Sequence, residues 1–180
     1  MAAETDPVYP NCPTVIRVVT VGGLSKAELL QQLQRHHVSL NESAERLFAS
    51  DRFATAATRQ VLTTVELTVR DLGFPQRATI GDVVARAAAL GLSLCPVELG
   101  PHLRLNYLDQ PEGYWGQPLR QHEAPSGSIT IASEPLVQDD DFPKGFYLRR
   151  IKGELWLRGY RSGAEHVWKA DDHLLFCRAG

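Results

Sequence analysis

The spacing of apolar residues changes period several times along this chain. β-Branched residues crowd positions 14–21, which read as a buried strand interrupted by Arg17 and closed by Gly22-Gly23. The pattern then becomes helical. Leu29, Leu30 and Leu33 fall on one side, and Ser25 with Glu28 forms a capping box ahead of them. Ser39 and Glu42 repeat that spacing before a second helix, with Ala44, Leu47 and Phe48 inward. Over 61–70 the period returns to two: Val65, Leu67 and Val69 alternate with Thr64, Glu66, Thr68 and Arg70. Leu62 and Leu72 leave a helix open here as well, and Gly73-Phe74-Pro75 breaks the segment. Thr79 and Asp82 cap a third helix over 80–90, and Gly91 suits the left-handed residue after its end.

Past the third helix, Gly100-Pro101 reads as a turn into a short strand at 102–107. Residues 110–127 form a Pro/Gly-rich loop that holds Tyr114, Trp115, His122 and Glu123. Loops of this length in compact domains tend to carry function. A strand follows at 129–132, then an acidic turn at Asp139, Asp140 and Asp141, a hairpin at 145–161, and a last pair of strands near 165–168 and 173–178. Together these predict an α+β fold, a helix-rich N-terminal part packed on a mainly antiparallel sheet with a β-rich C-terminal third. Residues 1–13 read as a flexible leader. Residues 14–180 read as a single domain, because the C-terminal strands alone are too few to stand by themselves.

The hairpin is the most informative segment. A two-residue turn at Lys152-Gly153 fixes its register. Arg149 then faces Trp156, Leu148 faces Leu157, and Tyr147 faces Arg158. One face holds Phe146, Leu148, Leu155 and Leu157, with Arg150 near the turn, and belongs to the core. The other holds Tyr147, Arg149, Trp156 and Arg158. Guanidinium groups beside aromatic rings offer forked donors and a stacking surface, which suits a planar or anionic ligand. The bland alternative is a solvated face whose arginine stems cover rings. Charge tempers the functional reading. Residues 145–161 carry five bases and one acid, while 134–141 carry four acids and no base, so the acidic turn is positioned to neutralise the hairpin.

Composition narrows the classes. At 180 residues the chain fits one core of ordinary size. Its net charge of −2 is spread evenly and gives no global field for nucleic acid or a membrane surface. The apolar run at 83–94 is too short to span a bilayer. Cys12, Cys95 and Cys177 are odd in number and lack a C-x-x-C pair, which argues against a disulfide framework or structural zinc. Buried free thiols in a reducing, cytoplasmic setting are the simpler expectation. No phosphate-binding loop, nucleophile elbow or H-E-x-x-H appears, so no cofactor or metal is expected.

Two segments, LCPVELGPHLRLNYLDQPEGYW at 94–115 and DDDFPKGFYLRRIKGELWLRGYR at 139–161, resemble small bacterial proteins of unassigned function. The similarity runs from about Val38 onward. It implies a bacterial source and brings no catalytic residues. Some such proteins carry a helicase label, which the missing phosphate-binding loop does not support.

The leading expectation is a non-catalytic module for a small anionic ligand or a protein partner. Its candidate residues are Tyr114, Trp115, Arg149, Trp156 and Arg158, with Arg104 as a second charge. The rival is a small hydrolase. It would use His102, His122 and Glu123, or a metal-assisted His166/His173 pair with Asp171 and Asp172 between them. A third reading pairs exposed strands between copies. The sequence leaves the oligomeric state open.

Overall fold

A computed structural model describes residues 6–113, 127–163 and 165–178. Among them, a mixed eight-stranded sheet runs β1-β3-β10-β6-β7-β8-β2, with β5 also paired to β10. The strands are β1 Val15–Val21, β2 Ser39–Leu40, β3 Gln60–Thr68, β5 Leu92–Ser93, β6 Ile129–Ile131, β7 Gly145–Ile151, β8 Glu154–Tyr160 and β10 His173–Arg178. The pairings β10–β6 and β8–β2 are parallel, and the others are antiparallel. A two-stranded sheet joins β4 Arg77–Thr79 to β9 Val167–Lys169. The four helices are α1 Lys26–Arg35, α2 Glu42–Ala49, α3 Ile80–Ala89 and α4 Leu99–Asn106. The fold is α+β, as the alternation of periods predicts.

Two cores lie on opposite faces of the large sheet. On one, Leu29 and Leu33 of α1, Leu47 of α2 and Leu99 and Leu103 of α4 meet Val19, Ile131, Phe146, Leu148, Leu157 and Leu175. The helix-rich and β-rich parts therefore share this core. On the other face, Val83 and Ala87 of α3 and Trp168 of β9 meet Val65, Leu67, Leu174 and Phe176. The small sheet belongs to this second layer.

Local chemistry explains the element boundaries. Ser25 and Glu28 form the expected capping box. Thr79 accepts the Asp82 N–H at the start of α3, and Gly91 follows it at φ 80°. The second helix corrects the sequence reading. Its cap is Asn41, which accepts the Ala44 N–H at 2.8 Å, whereas Ser39 lies in β2. The Asn41 amide also takes the Gly159 N–H at 2.8 Å and donates to the Gly159 carbonyl at 3.1 Å. One side chain thus starts α2 and binds it to β8. Gly159 makes room for this: a Cβ there would lie 2.6 Å from the Ser43 carbonyl carbon and 2.7 Å from the Ala44 nitrogen.

Two other expectations are overturned. The strand expected at 102–107 is the helix α4, with Pro101 in its first turn, where a missing N–H leaves no helical bond unmade. Strands β9 and β10 do not pair with each other; β9 joins β4, and β10 enters the main sheet between β3 and β6. Residues 6–13 are the described part of the segment ahead of β1. The Tyr9 N–H reaches the Asp71 carbonyl at 2.7 Å, and the Tyr9 side chain packs on the second core.

Candidate functional site

The hairpin has the register that its alternation and turn predict, from Gly145 opposite Tyr160 to Ile151 opposite Glu154. Lys152 and Gly153 both take positive φ, 53° and 74°, as a tight two-residue connection of twisted strands requires. Phe146, Leu148 and Leu157 are buried under the helices. Opposite them, Tyr147, Arg158, Trp156 and Arg149 form a continuous ladder of rings and cations. The Arg149 guanidinium carbon lies 5.2 Å from the Trp156 ring centre, and that of Arg158 lies 5.0 Å from Trp156 and 5.9 Å from Tyr147.

Arg158 is held in one orientation. Its Nε donates to the Tyr147 hydroxyl at 2.8 Å while its guanidinium carbon lies over the Trp156 ring. Its two terminal nitrogens have no acceptor among the described residues. No carboxylate lies within ion-pair distance of it there. The acidic turn does not neutralise it. Asp140 sits 3.8 Å from Lys144 at the foot of the hairpin, and the Asp139 and Asp141 carbonyls accept from Lys144 and Arg46. Arg149 is almost fully buried, and burial followed by the neighbouring Arg158 charge lowers its pKa.

Arg104 does not belong to this face. It has no exposed surface, and its guanidinium donates to the Gln110 side-chain oxygen at 2.7 Å and to the carbonyls of Trp156 at 3.2 Å, Arg149 at 3.4 Å and Tyr107. Burial pulls its pKa down to about 10, so it stays charged at neutral pH. Arg104 is a tie between the end of α4 and the back of the hairpin, and no ligand at the aromatic face reaches it. Tyr114 and Trp115 lie outside the described residues, as do His122 and Glu123. Both sides of that segment are anchored. Gln110 donates to the Gly127 and Leu148 carbonyls, the Gly113 N–H meets the Arg150 carbonyl at 2.7 Å, and the Glu112 carboxylate accepts the Gly153 N–H at the hairpin turn.

The histidines are distributed differently from the expectation. His102 accepts the Gly22 N–H through Nε2 at 3.2 Å, and burial lowers its pKa, which keeps that lone pair available. His166 packs edge-on against Trp168, remote in the sheet order from any pairing with His173. The partner of His173 is Glu66, which no local spacing announces. Nδ1 of His173 lies 2.9 Å from one Glu66 oxygen, and Arg17 donates to the other at 2.6 Å. Burial raises the Glu66 carboxyl, but the bonds from His173 and Arg17 outweigh it and hold it below its ordinary value. The Glu66 bond in turn raises His173. This cluster borders a cavity of about 190 Å³ walled by Tyr107, Gln110, Pro111 and Glu112. A second, larger groove of about 950 Å³ runs between α3, residues 92–97 and residues 134–136.

Among the described residues, no three His, Cys, Asp or Glu side chains converge as a metal site. No described helix is long and apolar enough to cross a membrane. No family model, curated protein or solved structure matches this chain.

Proposed function

We propose that this protein is a non-catalytic binding module that holds a small planar anion on the aromatic–basic face of its hairpin. The observation that carries this reading is Arg158. Tyr147 and Trp156 fix its guanidinium, and its terminal fork is left without a protein partner among the described residues. A fork set this way matches a carboxylate or phosphate in two parallel bonds, with little side-chain freedom left to lose. Trp156 offers the flat body of such a ligand a surface beside that fork. Arg149 adds a second positive charge on the same face.

The test uses benzoate, adenosine monophosphate and inorganic phosphate as probes at millimolar concentration. Chemical shifts of the Arg158 Nε–H and the Trp156 indole N–H are followed. The reading expects shifts confined to the hairpin face, larger for the planar anions than for phosphate, and lost in Trp156→Ala/Arg158→Gln. A folded protein whose hairpin signals ignore all three probes overturns it. An acidic peptide that binds there when the small anions do not would make the site a protein-docking face.

A second reading, a small hydrolase, draws on one observation. Glu66 orients His173 through Nδ1 beside a cavity, and Nε2 of His173 has no protein partner among the described residues. Ester hydrolysis that is abolished by His173→Gln, with the fold intact, would favour it. Stoichiometric zinc or manganese in purified protein would favour its metal-assisted form.

A further inference from the structure

The three cysteines are far apart in sequence, yet two of them meet. Cys177 is the penultimate residue of β10, and its strand partner on β5 is Ser93. Two residues on, Cys95 is fixed by its N–H to the Ala132 carbonyl at 2.7 Å and by a bridge to Ser133. Ser93 also donates its hydroxyl to the Cys177 carbonyl at 3.3 Å. The sheet hydrogen bonds thus bring the two side chains together, and their sulfurs lie 3.1 Å apart. Both are buried, Cys95 at 2% and Cys177 at 6% exposure, while Cys12 is half-buried and elsewhere. Closing to the bonded separation of about 2.05 Å requires a movement of roughly 1 Å, within what side-chain rotation supplies.

We propose that Cys95 and Cys177 are a redox-active dithiol, a modification site that hydroperoxide converts into a disulfide. Cys95 lines the 950 Å³ groove, so a small oxidant reaches one sulfur of the pair from it, 3.1 Å from the other. Cys177 is the better first nucleophile, because its contact with the Cys95 sulfur, 3.1 Å away, lowers its pKa and favours the thiolate. Its sulfur attacks one peroxide oxygen. The S–O bond forms, the O–O bond breaks, and the departing hydroxide leaves as water with the proton that Cys177 gave up. Cys95 then attacks the Cys177 sulfur. The S–S bond forms, the S–O bond breaks, and the second hydroxide leaves as water with the Cys95 proton. Two thiols lose two electrons, and the peroxide is reduced to two waters. The new bond would fasten the 92–97 wall of the groove to β10.

The experiment treats the full chain with hydrogen peroxide, raised until Cys12 is oxidised. Remaining thiols are alkylated after unfolding, and unreduced peptides are analysed by mass spectrometry. The expected product is a Cys95–Cys177 cross-linked peptide that dithiothreitol reverses, with a higher Tm than the reduced protein. Cys12→Ser should give the same product. Recovery of Cys95 and Cys177 as alkylated thiols, when Cys12 is already oxidised, overturns the proposal. So does a cross-link to Cys12 in place of theirs. In Cys95→Ser, a dimedone-trapped sulfenic acid at Cys177 is expected, because the resolving thiol is gone. If that variant does not fold, the wild-type peptide result decides alone.

Discussion

Gly159→Ala tests how α2 is attached to the sheet. The added methyl meets backbone atoms of Ser43 and Ala44 at 2.6 and 2.7 Å, and neither atom can rotate away. Either α2 retreats or β8 bends, and both movements pull on the two Asn41–Gly159 hydrogen bonds. Overpacking of this kind costs about 1–3 kcal/mol. Weakening a helix cap adds about 1 kcal/mol. Stiffening the unfolded chain returns about 0.4–1 kcal/mol. The net expectation is a loss of about 2 kcal/mol, read as a fall of roughly 1 M in the urea midpoint with an unchanged slope. Gly153→Ala is the contrast: its Cβ meets nothing within 4 Å, and its cost comes from φ 74° alone. Asn41→Ala completes the comparison. If contact and cap are one device, the double variant loses less than the sum of the single ones. A Gly159→Ala midpoint within experimental error of the parent, or strict additivity with Asn41→Ala, refutes the reasoning.

Replacing Arg104 with Met keeps most of its volume but takes a donor from four oxygens, of which the Arg149 and Trp156 carbonyls keep their strand partners. Stability should fall by about 2–4 kcal/mol in urea unfolding, and Arg104→Lys should not restore it, because an ammonium lacks the fork that reaches them all. Glu66→Gln should lower the His173 pKa in an NMR titration, since the Glu66 bond is what raises it. The stability difference between the parent and Glu66→Gln should be largest between about pH 4.5 and 6.5, the ordinary values for Glu and His. It should shrink as pH falls through the lowered Glu66 value, and shrink again as pH rises through the raised His173 value. It should not vanish at high pH, because Arg17 remains paired with Glu66. A difference that grows steadily with pH would remove His173 from the cluster.

Legibility in the sequence followed the range of the interactions. The hairpin was readable to the residue, because its turn and alternation lie within one short stretch and together fix a register. The caps of α1 and α3 were readable for the same reason. The α4 segment misled because Leu103 and Leu105 alternate with polar neighbours as in a strand, while the helical pair Leu99 and Leu103 straddles a Gly-Pro that looked like a break. The capping-box spacing at Ser39 was a coincidence, since the true cap two residues on also needs Gly159 from a distant strand. Arg104 looked like a surface charge because nothing nearby shows that carbonyls from the hairpin will surround it. The Glu66–His173 and Cys95–Cys177 pairs are separated by 107 and 82 residues. Only the strand order β3-β10 and the β5–β10 pairing bring them together.

The anchoring around Gln110 has a consequence for the entropy of the chain. Gly113 and Gly127 lie side by side: a Cβ on Gly127 would meet the Gly113 Cα at 3.3 Å. The chain therefore leaves and rejoins the sheet at one clasp, whose hydrogen bonds belong to residues 110–113 and 127 and to the hairpin. Entropy penalises the length between two such fixed ends only logarithmically, about 0.6 kcal/mol for each doubling. The clasp itself, residues 110–113 and 127, carries the bonds that tie this crossing to the carbonyls of Leu148 and Arg150 and to the hairpin turn.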